Sequence, residues 1–328
     1  MRDEVVDRCR QELGLARAHE TNVTFDMILF AILMAYPMHW DEGAKDCASH
    51  HAPPIQVQAY DAHTFVLREN LCATFEAPFM YLLIGSTRAL LIDDGDVADP
   101  HAMPLAQTVL GLLPPNLPLL VVHTHRHLDH RAGDTQFAGL PHVEVVGYDL
   151  ESVKRFYGFT SWPTGVATLD LGGRIVDVLP TPGHNATHVA FYDRNTAVLF
   201  TGDFLMPGRL LIDDADADRA SARRVAAFIA SRPVTYALGG HIELDSAGHT
   251  FDFYSQYHPH ERALEMTRAD VLALPAAVDR FNGFYTESGS LIMMDQMRIL
   301  IAEAAAVLIV LGVVVAWVIR YLRSRRRA

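Results

Sequence analysis

The chain has 328 residues, with 27 Lys and Arg against 39 Asp and Glu, and half of it is apolar. That excludes a disordered chain, a collagen-like chain and a coiled-coil rod. The net charge of −12 argues against a general nucleic-acid binder, which needs a basic face for phosphate. Seventeen histidines are a surplus that suggests metal chemistry.

Residues 1–40 read as a leader. Within them MILFAILMAY (27–36) is an apolar run of 10 residues ended by Pro37. It is too short to span a bilayer and about right for the core of a signal peptide. The flanks are unusual, because residues 1–26 carry four Arg against six acidic groups and no A-x-A cleavage site follows. Removing such a leader takes Cys9 with it and leaves Cys47 and Cys72. These two either pair in an oxidising compartment or stand as unrelated buried thiols.

Residues 41–265 read as one domain in which short strand-like runs alternate with helical stretches. MYLLIG (80–85) and ALLIDDG (89–95) read as a strand pair, and LPLLVVHTH (117–125) as a buried strand entering a His-rich loop. VEVVGY (143–148), RIVDVLP (174–180), HVAFYD (188–193), AVLFTGD (197–203) and VTYALGGH (234–241) are further strands. Residues 215–231 have helical spacing. Tyr148, Phe156, Tyr157 and Trp162 form either an apolar lip or a satellite core.

The strands repeatedly end on reactive side chains. HTHRHLDH (123–130) contains His125, His127, Asp129 and His130 in six residues at the mouth of a strand. Imidazole nitrogen and carboxylate oxygen are the ligands of a borderline metal such as zinc. His123 precedes the set by two and is expected on the opposite face of the strand. TPGH ends in His184, FTGD in Asp203 and LGGH in His241, which completes seven ligand-type residues. Arg209, in MPGR, is a candidate for an anionic substrate group.

This set, in this order, resembles the metallo-β-lactamase fold superfamily of metallohydrolases over roughly residues 55–260. The resemblance implies an α/β fold, an αββα sandwich with the site along the sheet edges. It implies that His125, His127 and His184 hold a first ion, that Asp129, His130 and His241 hold a second, and that Asp203 bridges both. Asp93, in LLIDDG, then supports the metal loop from behind. The implied cofactor is two divalent ions, zinc foremost, with iron or manganese as options. The implied reaction is cleavage of an ester, lactone or thioester in a small-molecule substrate. A hydroxide shared by the two ions attacks the carbonyl carbon, and Asp129 orients it and passes its proton to the leaving group. Asp203 stands where lactamase branches with a cysteine at the second metal would have Cys, which points to the glyoxalase II-like and lactonase-like branch. TPGHNATHVAFY looks like the glyoxalase II stretch, with Thr187 at a usual Gly position and no glutathione-binding basic pair near the C-terminus. A non-catalytic metal-binding module, a phosphodiesterase and a β-lactamase of the same superfamily are the alternatives.

Residues 266–298 read as helical pieces and linker. Residues 299–319 (ILIAEAAAVLIVLGVVVAWVI) are 21 in number, with one charge, Glu303. As a helix they span ~31 Å, about one bilayer core. The basic tail 320–328 carries five Arg, so residues 1–319 hold a balance of −17. The positive-inside rule places this tail in the cytoplasm and the main domain on the periplasmic or extracellular side of a cell inner membrane.

Overall fold

A computed structural model of the chain describes residues 38–325. The leader run 27–36 and the last three residues lie outside the described residues.

One six-stranded sheet has the order β1 (Ile55–Asp61), β2 (Thr64–Glu69), β3 (Phe79–Ile84), β4 (Ala89–Ile92), β5 (Leu119–Val122), β6 (Val143–Val145). The second runs β13 (Glu265–Met266), β12 (Ala237–Gly239), β10 (Val198–Gly202), β9 (Val189–Asp193), β8 (Ile175–Pro180), β7 (Ala167–Asp170). A small sheet joins β11 (Arg209–Leu211), β15 (Leu291–Met294) and β14 (Tyr285–Ser288). The helices are α1 (Leu105–Leu112), α2 (Asp134–Phe137), α3 (Leu150–Tyr157), α4 (Ala215–Ile229), α5 (Arg268–Asp279) and α6 (Gln296–Arg325).

The period of two along the strands builds the layers. Phe79, Tyr81 and Leu83 of β3 face the second sheet and meet Val178, Phe191 and Phe200. Met80 and Leu82 face the other way, onto Leu105, Val109 and Phe137 of α1 and α2. On the far side Ala190, Tyr192 and Leu199 pack under Val225 and Ile229 of α4 and Val271 and Leu274 of α5. Three apolar seams separate four layers, so both sheets are covered on both faces. This is the αββα sandwich that the sequence resemblance implies.

The segment 266–298 is not a linker between the domain and the apolar helix. α5 packs in the outer layer with α4, and β15 pairs in parallel with β11. β1 and β2 form an antiparallel edge that the sequence patterns above do not single out. The strand expected over 234–241 is cut to Ala237–Gly239: residues 234–236 lie before it, and Gly240 and His241 leave the sheet as a loop. Cys47 and Cys72 are joined as a disulfide across 25 residues.

Arg174, buried in the turn before β8, ties the two sheets together. Its guanidinium donates to both carboxylate oxygens of Asp193 at 3.2 and 2.8 Å, to the His63 carbonyl at 2.7 Å and to Thr64 Oγ1 at 2.7 Å. Breaking a buried, fully hydrogen-bonded pair leaves an uncompensated charge. Arg174→Met is therefore expected to cost about 3–5 kcal/mol of stability, read as a lower urea midpoint with little change in slope.

Candidate functional site

Five strand ends meet at one rim. Asp93 and Asp94 follow β4, residues 123–130 follow β5, His184 lies four residues beyond β8, Asp203 follows β10 and His241 lies two residues beyond β12. β4 and β5 are parallel, as are β10 and β12, so their carboxyl ends point the same way. Close backbone packing brings them together. A Cβ on Gly240 would stand 2.3 Å from Asp203 Oδ1 and 2.9 Å from the His130 ring, so this position has room only for glycine.

The structure brings all seven expected residues into two adjacent groups. His125, His127 and His184 form one, and Asp129, His130, Asp203 and His241 the other, with the ligand-type atoms of each group within 4.8 Å of one another. In the first, His184 Nε2 lies 3.2 Å from His125 Nε2 and 3.0 Å from His127 Nδ1. In the second, His130 Nε2 lies 3.2 Å from Asp129 Oδ2 and 3.3 Å from Asp203 Oδ1. His241 Nε2 is 3.3 Å from Asp129 Oδ2 and 3.2 Å from His130 Nε2. Asp203 spans the groups, with Oδ2 3.5 Å from His184 Nε2 and 4.0 Å from His125 Nε2.

The rear nitrogens set which lone pairs point inward. His184 Nδ1 donates to the Leu211 carbonyl at 2.8 Å, His241 Nδ1 to the Glu76 carbonyl at 2.7 Å and His130 Nδ1 to Asp93 Oδ2 at 2.9 Å. His125 Nδ1 faces Thr124 Oγ1 at 3.1 Å, and that hydroxyl donates to Asp93 Oδ2. In a neutral ring the proton then sits at the rear, and Nε2 presents a bare lone pair to its neighbours. Lone pairs this close repel unless a cation stands between them. Asp203 Oδ1 is likewise buried with no hydrogen-bond partner. Imidazole and carboxylate donors in these two sets fit a pair of divalent transition ions.

The electrostatics carry the same demand. Burial, with the neighbouring His130 and His184 rings, pushes His125 well below the usual histidine range. Burial and His184 take His127 down to about 4. At His130 burial opposes the charge, but Asp129, Asp203 and Asp93 outweigh it and hold the ring well above its ordinary value. At His241 burial is outweighed by Asp203 and Asp129, and the value rises to about 10. Asp203 is held low by His130 and His241 against the cost of its burial. Positive charge is thus disfavoured at His125 and His127 and favoured at His130 and His241, where the carboxylates gather.

Several partners carry no signal in a one-dimensional reading. The carbonyls of Glu76 and Leu211 orient two histidines, and any residue type supplies a carbonyl. Thr124 stands inside the HTH triplet and was available to inspection. His188 stacks on His125 at 5.1 Å between ring centres and bonds Thr181 through Nδ1. Arg209 is committed elsewhere, to the Phe251 carbonyl and to Glu243, and lies over the Phe253 ring. Phe156, Tyr157 and Trp162 pack against the central core, as a satellite core would.

The sequence profile of the metallo-beta-lactamase superfamily matches residues 73–241. The chain belongs to the metallo-beta-lactamase superfamily. Among its curated relatives, a hydroxyacylglutathione hydrolase from Aeromonas hydrophila is 30% identical over 157 residues, 47% of this chain and 58% of that protein. One from Dechloromonas aromatica is 27% identical over 215 residues, 65% of this chain and 74% of that protein. The chain spans about half to three quarters of the length of these relatives. The solved metallo-beta-lactamase from Pontibacter korlensis superposes on 69% of this chain and all of its own, with a TM-score of 0.48 and 15% identity.

Two expectations follow for this superfamily member. Asp93→Ala removes the acceptor of the His130 Nδ1 proton, so affinity for a divalent ion should fall about 10–100-fold, measured by competition with a chelating dye. Glu69 is buried and accepts from the Asp96 and Val97 backbone at 3.0 and 3.3 Å. Burial, against those two hydrogen bonds, raises it from 4.5 to about 8. Between these pH values the native chain holds a proton that the unfolded chain has lost, so stability falls as pH rises through the window. Glu69→Gln should flatten that slope in denaturation series run from pH 5 to pH 8, values inside the window set by 4.5 and about 8.

Proposed function

We propose that this chain is a membrane-anchored, metal-dependent hydrolase of carbonyl compounds, with thioesters as the leading class among esters, lactones and thioesters. The observation that carries the reading is the convergence of five imidazoles and two carboxylates on one rim, with the rear nitrogen of every ring but His127 facing an oxygen. The kinship with proteins named hydroxyacylglutathione hydrolase supports the thioester.

Two divalent ions, zinc foremost, held by His125, His127 and His184 and by Asp129, His130 and His241 with Asp203 between, would supply Lewis acidity for the carbonyl oxygen and lower the pKa of water. The chain's own groups do the rest. Asp129 is the more exposed of the two site carboxylates, 19% against 11% for Asp203, and so faces substrate. It accepts a proton from the attacking water and returns it to the leaving sulfur or oxygen. Asp203 holds both histidine groups in register. Asp93 and the Glu76 and Leu211 carbonyls fix ring orientation.

Glutathione itself is not part of the proposal. Phe204, Leu205 and Met206, where a lactonase-like member would carry a Tyr, are buried in the outer core. Anchoring is proposed for the helix from Gln296 to Tyr321, which is long and apolar enough to cross a membrane and has none of its apolar window buried. The Cys47–Cys72 disulfide supports placing the domain outside the cytoplasm, where disulfides persist.

The test uses the full chain in detergent, assayed on thioesters, esters, lactones, β-lactams and phosphodiesters with and without chelator. Thioester turnover that chelator abolishes and zinc restores is expected, and turnover indifferent to chelator would overturn the reading. Asp129→Asn, which keeps a ligand oxygen but a poorer proton acceptor, should lower kcat about 10²–10⁴-fold with bound metal retained.

A further inference from the structure

A third cluster of ligand-type groups lies beside the seven-residue centre. Asp94, His123 and Asp134 come from the end of β4, the end of β5 and the start of α2, and their donor atoms lie within 4.8 Å of one another. The His123 side chain is 2% exposed and that of Asp94 is fully buried. His123 stands apart from the seven-residue centre, as its place in the strand suggested, and sits with Asp94 and Asp134 instead.

The spacing is that of a cation site. His123 Nε2 lies 3.0 Å from Asp134 Oδ1 and 3.7 Å from Asp94 Oδ2. Donors at zinc-like bond lengths around a tetrahedral ion stand about 3.4 Å apart. The corresponding contacts around His130, 3.2 and 3.3 Å, have the same scale.

The hydrogen bonding leaves the cluster unfinished. Both Asp94 carboxylate oxygens, His123 Nε2 and Asp134 Oδ1 are buried with no hydrogen-bond partner. At 3.0 Å the Asp134 oxygen is near the ring nitrogen but off its N–H axis. A carboxylate buried without a partner costs several kcal/mol and is rarely kept. Asp203 Oδ1, in the seven-residue centre, carries the same mark. The backbone also makes room, since a Cβ on Gly133 would stand 2.2 Å from the Asp94 carbonyl and 3.1 Å from its carboxyl carbon.

We propose that Asp94, His123 and Asp134 bind a third divalent transition-metal ion, structural in role. One nitrogen and two carboxylate donors suit zinc or manganese, whereas calcium takes six or more oxygens. The ion would clip the end of β4 and the start of α2 to the strand that carries the HTHRHLDH loop. Asp94 N–H already donates to the His130 carbonyl at 3.0 Å, and Ala132 N–H to Gly95 O at 2.8 Å. The site therefore braces the loop from the side opposite its own ligands.

The test counts zinc. The full chain in detergent is stripped with chelator, reloaded with Zn²⁺, desalted, and its zinc measured per chain by plasma mass spectrometry, with thermal melts of stripped and loaded protein alongside. Asp134→Asn and His123→Gln are each expected to bind one ion fewer than the unaltered chain and to gain less in melting temperature on loading. Equal zinc content in the unaltered chain and Asp134→Asn, or a loss greater than one ion, overturns the proposal. Asp134 lies at the cluster's edge, 22% exposed, so its variant keeps the test open where His123→Gln fails to fold. The difference of one ion does not depend on how many the seven-residue centre holds.

Discussion

The Asp93 carboxylate is the constraint from which the rim is built. It accepts from Thr124 N–H at 2.6 Å, from Thr124 Oγ1 at 2.9 Å and from His130 Nδ1 at 2.9 Å. Two of these bonds pin the end of β5 to the end of β4. The third reaches across the loop to a histidine of the centre. The residue holds an uncommon backbone conformation to do so, with φ at 63°, a strained choice for a side chain with a Cβ. Strain of this kind survives only where the surroundings over-determine it, and three hydrogen bonds into one buried carboxylate do that.

The four-layer packing explains why so polar a rim is tolerated. Each sheet is covered on both faces, so its central strands, such as β3, β4, β5 and β10, are buried along their length and change character where they end. Polar groups gathered at the strand ends cost less than the same groups placed mid-strand, because the loops bring carbonyls to them. Glu76 and Leu211 each contribute one in this way. Tyr81, whose hydroxyl donates to the Gly239 carbonyl, and Arg174, which donates to the His63 carbonyl and Thr64 Oγ1, are polar ties across the central seam.

Much of this was legible in the sequence because chemistry and strand ends coincide there. LLIDDG, HTHRHLDH, TPGH, FTGD and LGGH each put reactive residues just past an apolar run, and these are the segments that meet at the rim. What was not legible depends on contacts distant in the chain. β1 and β2 alternate weakly, and β11 has three residues whose partner strand lies about eighty positions on. α5 looked like a connector because its apolar face is completed only by α4. His123 falls outside the seven-residue centre, and its neighbours Asp94 and Asp134 lie in other segments that only folding brings beside it.

The pairing of β11 with β15 decides where this molecule can be divided. Leu211 of β11 supplies the carbonyl that orients His184, and its own neighbour in the sheet is Met294 of β15. One residue after Met294, at Asp295, the chain turns into the apolar helix. A protease that cut before Leu291 would strip β11 of its partner strand β15 and loosen a histidine of the centre. A cut beyond Asp295 would release the same domain with that strand still in place. Release from the helix and loss of the centre are thus separated by about five residues of chain, and the position of a nick selects between them.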